Sequence, residues 1–161
     1  MAWGRGSLTL KHAGRPDLPP VAVEALADAG AWPLCMPESI RSQLALEAID
    51  SREVTRADGT RIAVPDVGPI EGRFKHRVGV TGALVMGDRV VLGALALADM
   101  DLVINPTTGT VEVNPESPDF GTSWAKGPPH RARARTVLSG TGEVAAVGRP
   151  IGGPIGPRPP V

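Results

Sequence analysis

The residue whose type and setting offer chemistry is Asp28. It lies in Ala27-Asp28-Ala29-Gly30-Ala31, between two apolar segments, Val21 to Leu26 and Leu34-Cys35-Met36. An acid beside a glycine at such a junction commonly does no more than turn the chain, since Asp bonds its own backbone and Gly tolerates positive φ. The chemical alternative is a catalytic carboxylate. Rivals are few. Cys35 is the lone cysteine, and His12, His76 and His130 show neither a cysteine-enzyme arrangement nor metal-ligand spacing, so Cys35 reads as a small buried hydrophobe. Asp99 and Asp101 read as turn and helix-end acids, and the basic run Arg73 to Arg77 as the solvated end of a hairpin. Gly79-Val80-Thr81-Gly82 and Gly4-Arg5-Gly6-Ser7 do not make a phosphate-binding loop.

The segments that must position Asp28 are mostly strands. Ser7 to Leu10 alternates like a short strand, and Val21 to Leu26 puts Val21, Val23 and Ala25 on one face. Pro37 to Leu44 reads as a short helix with Ile40 and Leu44 on one side. Glu53 to Arg56 and Arg61 to Val64 flank Ala57-Asp58-Gly59-Thr60, and Asp-Gly between alternating segments is a strong hairpin signal. Further strands are expected over 67–74, 78–80, 83–86, 90–92, 102–104 and 110–113, with a helical turn over 93–97. The sum is a small, mostly β barrel with one or two short helices.

Composition agrees with short strands and turns. The chain holds 20 Gly and 17 Pro among 161 residues, and only two Phe, three Trp and no Tyr, so its core must rest on Val, Leu, Ile and Ala. A single cysteine excludes an internal disulfide and a multi-cysteine zinc site, and points to a reducing compartment. The start, Met1-Ala2-Trp3-Gly4-Arg5, lacks a signal-like apolar run, and the most apolar region, Val78 to Ile104, is broken by Asp88, Arg89, Asp99 and Asp101. A cytoplasmic protein is expected. From Gly127 onward the chain is rich in Gly and Pro and carries five arginines against Glu143. That composition favours a solvated, disordered tail, and Arg-Ala-Arg-Ala-Arg without aromatics is weak support for nucleic-acid binding. The domains expected are 1–20 as an N-terminal strand and linker, 21–126 as the folded domain, and 127–161 as the tail.

Three features occur in a telling order. Val23 to Glu38 resembles the active-site segment of retropepsin-like (clan AA) aspartic peptidases, where a strand leads into Asp-Thr/Ser-Gly-Ala and a second apolar strand. Val91-Leu92-Gly93-Ala94-Leu95-Ala96-Leu97 is similar to the family's second hallmark, two apolar residues and a Gly entering a helix. Between them stands the Asp58-Gly59 hairpin, where these proteins carry a flap. Asp99 to Pro106 resembles the closing strand of bacterial members. The resemblance covers about residues 20 to 120.

What the resemblance implies is a closed acid-protease barrel acting as a homodimer, one aspartate from each subunit holding one water. Asp28 would be catalytic, and Ala29, Gly30, Ala31, Leu92 and Gly93 would support its loop. Ala57, Asp58, Gly59 and Thr60 would form the flap closing on a peptide or protein substrate, with no metal or cofactor. Gly93 would let the second apolar strand and its helix pack under the turn. One departure weakens the analogy: the family's Thr or Ser is Ala29 here, so the hydroxyl that bonds across the dimer is missing. A second reading therefore keeps the fold and drops the catalysis, as a peptide-binding or dimerisation module. Trp32 is expected to cover the barrel or the dimer contact rather than line a substrate pocket.

Overall fold

The computed structural model describes residues 3–123, 135–138 and 144–147. They fall into two units, Met1–Ser123 and Trp124–Val161. In the first, the chain runs through β1 (Trp3–His12), β2 (Val21–Asp28), β3 (Leu34–Met36), α1 (Glu38–Gln43), β4 (Ala48–Thr55), β5 (Arg61–Phe74), β6 (Arg77–Val85), β7 (Val90–Leu92), α2 (Ala94–Asp99), β8 (Leu102–Asn105) and β9 (Thr110–Val113). In the second, β10 (Arg135–Leu138) pairs antiparallel with β11 (Val144–Val147). The rest of the segment expected to be a tail lies outside the described residues.

Six strands close on themselves. Going round, β5 pairs with β6, β6 with β3, β3 with β7, β7 with β2, β2 with β1, and β1 returns to β5. The return is possible because β1 is long enough for two partners. Its residues from Trp3 to Leu10 face β2, while Thr9 to His12 face Ile70 to Arg73 of β5. β1 is therefore a structural member of the barrel and not a strand lying before it. Closure leaves the ring itself without an open edge, while β4 and β8 remain the edge strands of the sheet.

Side-chain alternation decides which face is inside. In β2, Val23, Ala25 and Ala27 are buried and Ala22 and Glu24 exposed, the period of two expected for a strand with one buried face. Leu10, Leu34, Met36, Leu44, Ile70, Leu84, Leu92 and Val67 are the largest fully enclosed side chains, each worth about 1.5–3 kcal/mol relative to exposure. Helix α2 seals the barrel with Ala96 and Leu97, followed by Met100 at its C-terminal end. Helix α1 buries none of its own residues, but Leu44 just after it enters the core and Ile40 packs against that core. Both helices have only six residues, and among the described residues no helix is long and apolar enough to cross a membrane.

Two long strands differ from the sequence expectation. Residues 61–64 and 67–74 belong to one strand, β5, because the shift of register that Gly68-Pro69 occupies lets pairing resume at Ile70. Proline has no N–H to give a ladder and is tolerated at such irregularities. Likewise 78–80 and 83–85 belong to β6, which runs unbroken through Thr81-Gly82 and stops one residue short of the expected Met86.

Candidate active site

Asp28 is the last residue of β2 and is half-buried. One side-chain oxygen, Oδ1, accepts the Gly30 N–H at 2.8 Å, and its carbonyl accepts the Ala31 N–H at 3.1 Å. The bond from Gly30 makes the local turn that Asp favours. Oδ2 has no hydrogen-bond partner among the described residues, which leaves it available to a water or a substrate. Ala29 and Gly30 are exposed. The carboxylate is thus held by its own loop and points one oxygen away from that loop's bonding.

The loop is held from below by β7, which lies between the two strands that the loop connects. Ala27 of β2 stands beside Leu92 in the parallel pairing, and Cys35 of β3 stands opposite Val91. The chain then turns at Gly93, where the backbone of residues 32 and 33 passes very close. A Cβ at position 93 would lie 2.3 Å from the Pro33 carbonyl oxygen and 2.5 Å from that of Trp32, so no side chain fits. Immediately after it, Ala94 N–H donates to Ala31 O at 2.7 Å and Leu95 N–H to Trp32 O at 3.1 Å. The first turn of α2 normally has unsatisfied N–H groups, and here the Asp28 loop supplies their acceptors. Asp28, Gly30, Ala31, Leu92 and Gly93 are thereby brought into one assembly. Ala29 has no hydroxyl and contributes only its backbone.

Ala57, Asp58, Gly59 and Thr60 form the tip of the β4–β5 hairpin, and all are exposed. Gly59 N–H donates to Arg56 O at 2.9 Å and Arg56 N–H to Thr60 O at 2.8 Å, with Gly59 at φ 83°. This is a turn followed by a left-handed glycine, the three-residue hairpin solution and not the two-residue one. The Asp58 carboxylate accepts from the Thr60 N–H at 2.9 Å and from its hydroxyl at 2.6 Å. Those two bonds hold its carboxyl below the usual range, so this acid is committed to shaping the tip. No hydrogen bond joins the tip to the Asp28 loop. The hairpin's stem approaches the loop's far end instead: a cavity of about 240 Å³ is lined by Pro33, Leu95, Thr81 to Leu84, and the Arg52–Asp66 pair, whose charged atoms are 2.8 Å apart. Asp28 does not line it.

Two aromatic neighbours complete the surroundings. Trp3 stands directly across from Asp28 in the β1–β2 register and is 59% exposed. Trp32, four residues past Asp28, is 70% exposed. Trp3 escapes sequence reasoning because its strand signal starts only at Ser7, the residues before it being Gly-Arg-Gly. Cys35 is half-buried, and burial pushes its thiol up, away from the thiolate a nucleophile needs. His76 is exposed, with Nε2 2.8 Å from Pro118 O. Asp99 accepts the Val80 N–H at 3.1 Å and Asp101 organises the 114–122 segment, so both are structural acids.

No family model matches the sequence, and no curated protein matches it. Among solved structures, the chain is similar to the solution structure of the Simian foamy virus (mac) protease, with a TM-score of 0.40 and 16% identity over 56% of this chain and 90% of that one.

Proposed function

We propose that the protein is an aspartic endopeptidase that works as a homodimer, with Asp28 of each subunit facing its twin across a two-fold axis. The observation that carries this reading is the assembly around Asp28: a half-buried carboxylate with Oδ2 unpartnered, on a loop held rigidly by Gly93 and by two backbone bonds to α2. One chain offers one such acid, so the second must come from a copy. Two carboxyls sharing a site cannot both ionise easily, and the pair holds one proton. The ionised member takes a proton from a water, and that water attacks the peptide carbonyl. The protonated member donates to the carbonyl oxygen and then assists departure of the amine. The β4–β5 hairpin supplies the covering element, and an extended peptide would pair with backbone beneath it. Trp3, opposite Asp28 in the β1–β2 register, and Trp32, four residues past it, are exposed and supply aromatic surface suited to the contact between copies.

Ala29 favours the second reading. A hydroxyl there would donate a bond across the axis worth about 0.5–1.5 kcal/mol, lost once per subunit. Loosening the pair by an ångström costs on the order of a hundredfold in rate. On this reading the chain binds or dimerises with little catalysis. Peptide cleavage at mildly acidic pH separates the possibilities. Activity in the wild type that disappears in Asp28→Asn supports the enzyme, and equal activity in both removes Asp28 from the mechanism. A large gain in Ala29→Thr over a nearly silent wild type supports the weakened module.

A further inference from the structure

Arg77 opens β6 and is 3% exposed. Of its guanidinium nitrogens, Nη2 donates to the Ser117 carbonyl, while Nε and Nη1 are out of solvent with no partner among the described residues. Arg77 takes part in none of the ion pairs among the described residues. A guanidinium keeps its charge inside proteins, and a buried charge is normally paired. Asp101 lies in the same neighbourhood: a Cβ at Gly121 would be 3.0 Å from Arg77 Nη1 and 3.5 Å from Asp101 Cβ. Its carboxylate is otherwise engaged. Oδ1 accepts from Asn114 Nδ2 at 2.9 Å, and Oδ2 accepts from the Ser117 hydroxyl, the Thr122 N–H at 2.9 Å and the Thr122 hydroxyl at 3.1 Å. Asp101 thus folds the 114–122 segment over the arginine without forming an ion pair with it.

Arg77 forms part of the wall of a cleft of about 250 Å³ that is bordered also by His76, Val78, Met100, residues 120–123 and two acids, Asp99 and Asp119. Asp99 is occupied by the Val80 N–H. We infer that this cleft is an anion site, in which a small oxyanion (a carboxylate or a phosphate group) pairs with Arg77. Gly121 covers Nη1, so binding moves the 117–123 segment aside and its amides report the event. A buried guanidinium with two N–H-bearing nitrogens lacking acceptors favours an oxyanion over a neutral ligand, because charge-assisted bonds to an oxyanion are the stronger ones. The cleft contains no residue of the Asp28 loop or the hairpin tip, so the inference stands independently of the peptidase reading.

The full chain is titrated with inorganic phosphate and, separately, with acetate, at ionic strength held constant with sodium chloride. Backbone amide shifts of Val78, Gly121 and Thr122 are followed. Saturable shifts at millimolar concentration support the site; phosphate alone identifies a phosphate ligand, and acetate alone a carboxylate. Arg77→Met is expected to weaken binding at least tenfold, and Gly121→Ala, which crowds Nη1 without removing the charge, to weaken it as well if the Met variant does not fold. No saturable shift with either anion, shifts that sodium chloride reproduces, or wild-type affinity in the folded variants would overturn the inference.

Discussion

Gly93→Ala isolates the contact that holds the Asp28 loop. The added methyl would meet Pro33 O at 2.3 Å, Trp32 O at 2.5 Å and Trp32 C at 2.6 Å, all backbone atoms that cannot rotate away. The loop must lift, which strains or breaks the bonds Ala94 N–H to Ala31 O and Leu95 N–H to Trp32 O. Overpacking costs about 1–3 kcal/mol, and the two hydrogen bonds contribute about 0.5–1.5 kcal/mol each. The sum is about 2–6 kcal/mol, a large part of the roughly 5–15 kcal/mol that holds a domain folded. Urea titration of Gly93→Ala should show a lower midpoint at unchanged slope, and any cleavage activity should fall by on the order of a hundredfold as Asp28 moves. Gly59→Ala is the internal comparison. That glycine has φ 83° with nothing within 4 Å of the new methyl, so only a backbone penalty of about 1–2 kcal/mol applies. A Gly93→Ala protein as stable as the wild type, or less affected than Gly59→Ala, refutes the claim that the loop rests on this contact.

Leu34 of β3, 2% exposed, sits in the barrel core, and Leu34→Ala should cost about 2–5 kcal/mol in the same denaturant experiment. Asp101 is held well below its ordinary 3.8 by the Ser117 hydroxyl first, then by Asn114 and Thr122. A depressed folded value means stability that is present above 3.8 and lost as pH falls below 3.8 through the depressed folded value. Asp101→Asn should therefore show a shallower decline in thermal midpoint below pH 4 than the wild type, and an equally steep decline would count against this network. Removing the aromatic surface with Trp3→Ala or Trp32→Ala should weaken self-association, each by about 1–3 kcal/mol if it anchors the contact. Sedimentation that finds both variants associating like the wild type would move the contact elsewhere.

Much of the barrel was legible because its strands alternate. Val23, Ala25 and Ala27 point inward at period two, and the Asp58-Gly59 turn announces the hairpin. The insertion of β7 beside the Asp28 loop was legible only through Gly93, whose need for a bare Cα becomes visible once residues 32 and 33 pass over it. Other features depend on non-local pairing, which local pattern does not encode. The splitting of β1 between β2 and β5 is one, and it is what sets Trp3 opposite Asp28. The continuity of β5 past Pro65 and Pro69 is another, because proline reads as a break, whereas Pro65 pairs in register with Ser51 and a register shift accommodates Pro69. Arg77 was hidden inside a basic run that looks like solvated surface. Only the return of residues 117–122 over the barrel end buries it.

The most direct test of the shared-carboxylate account mixes wild-type chains with Asp28→Asn chains in varying proportion, at fixed total concentration and mildly acidic pH, while peptide cleavage is followed. If each catalytic unit draws one acid from either subunit, the rate should fall with the square of the wild-type fraction. A linear fall, showing that single chains cleave alone, or cleavage that persists in pure Asp28→Asn, would contradict it.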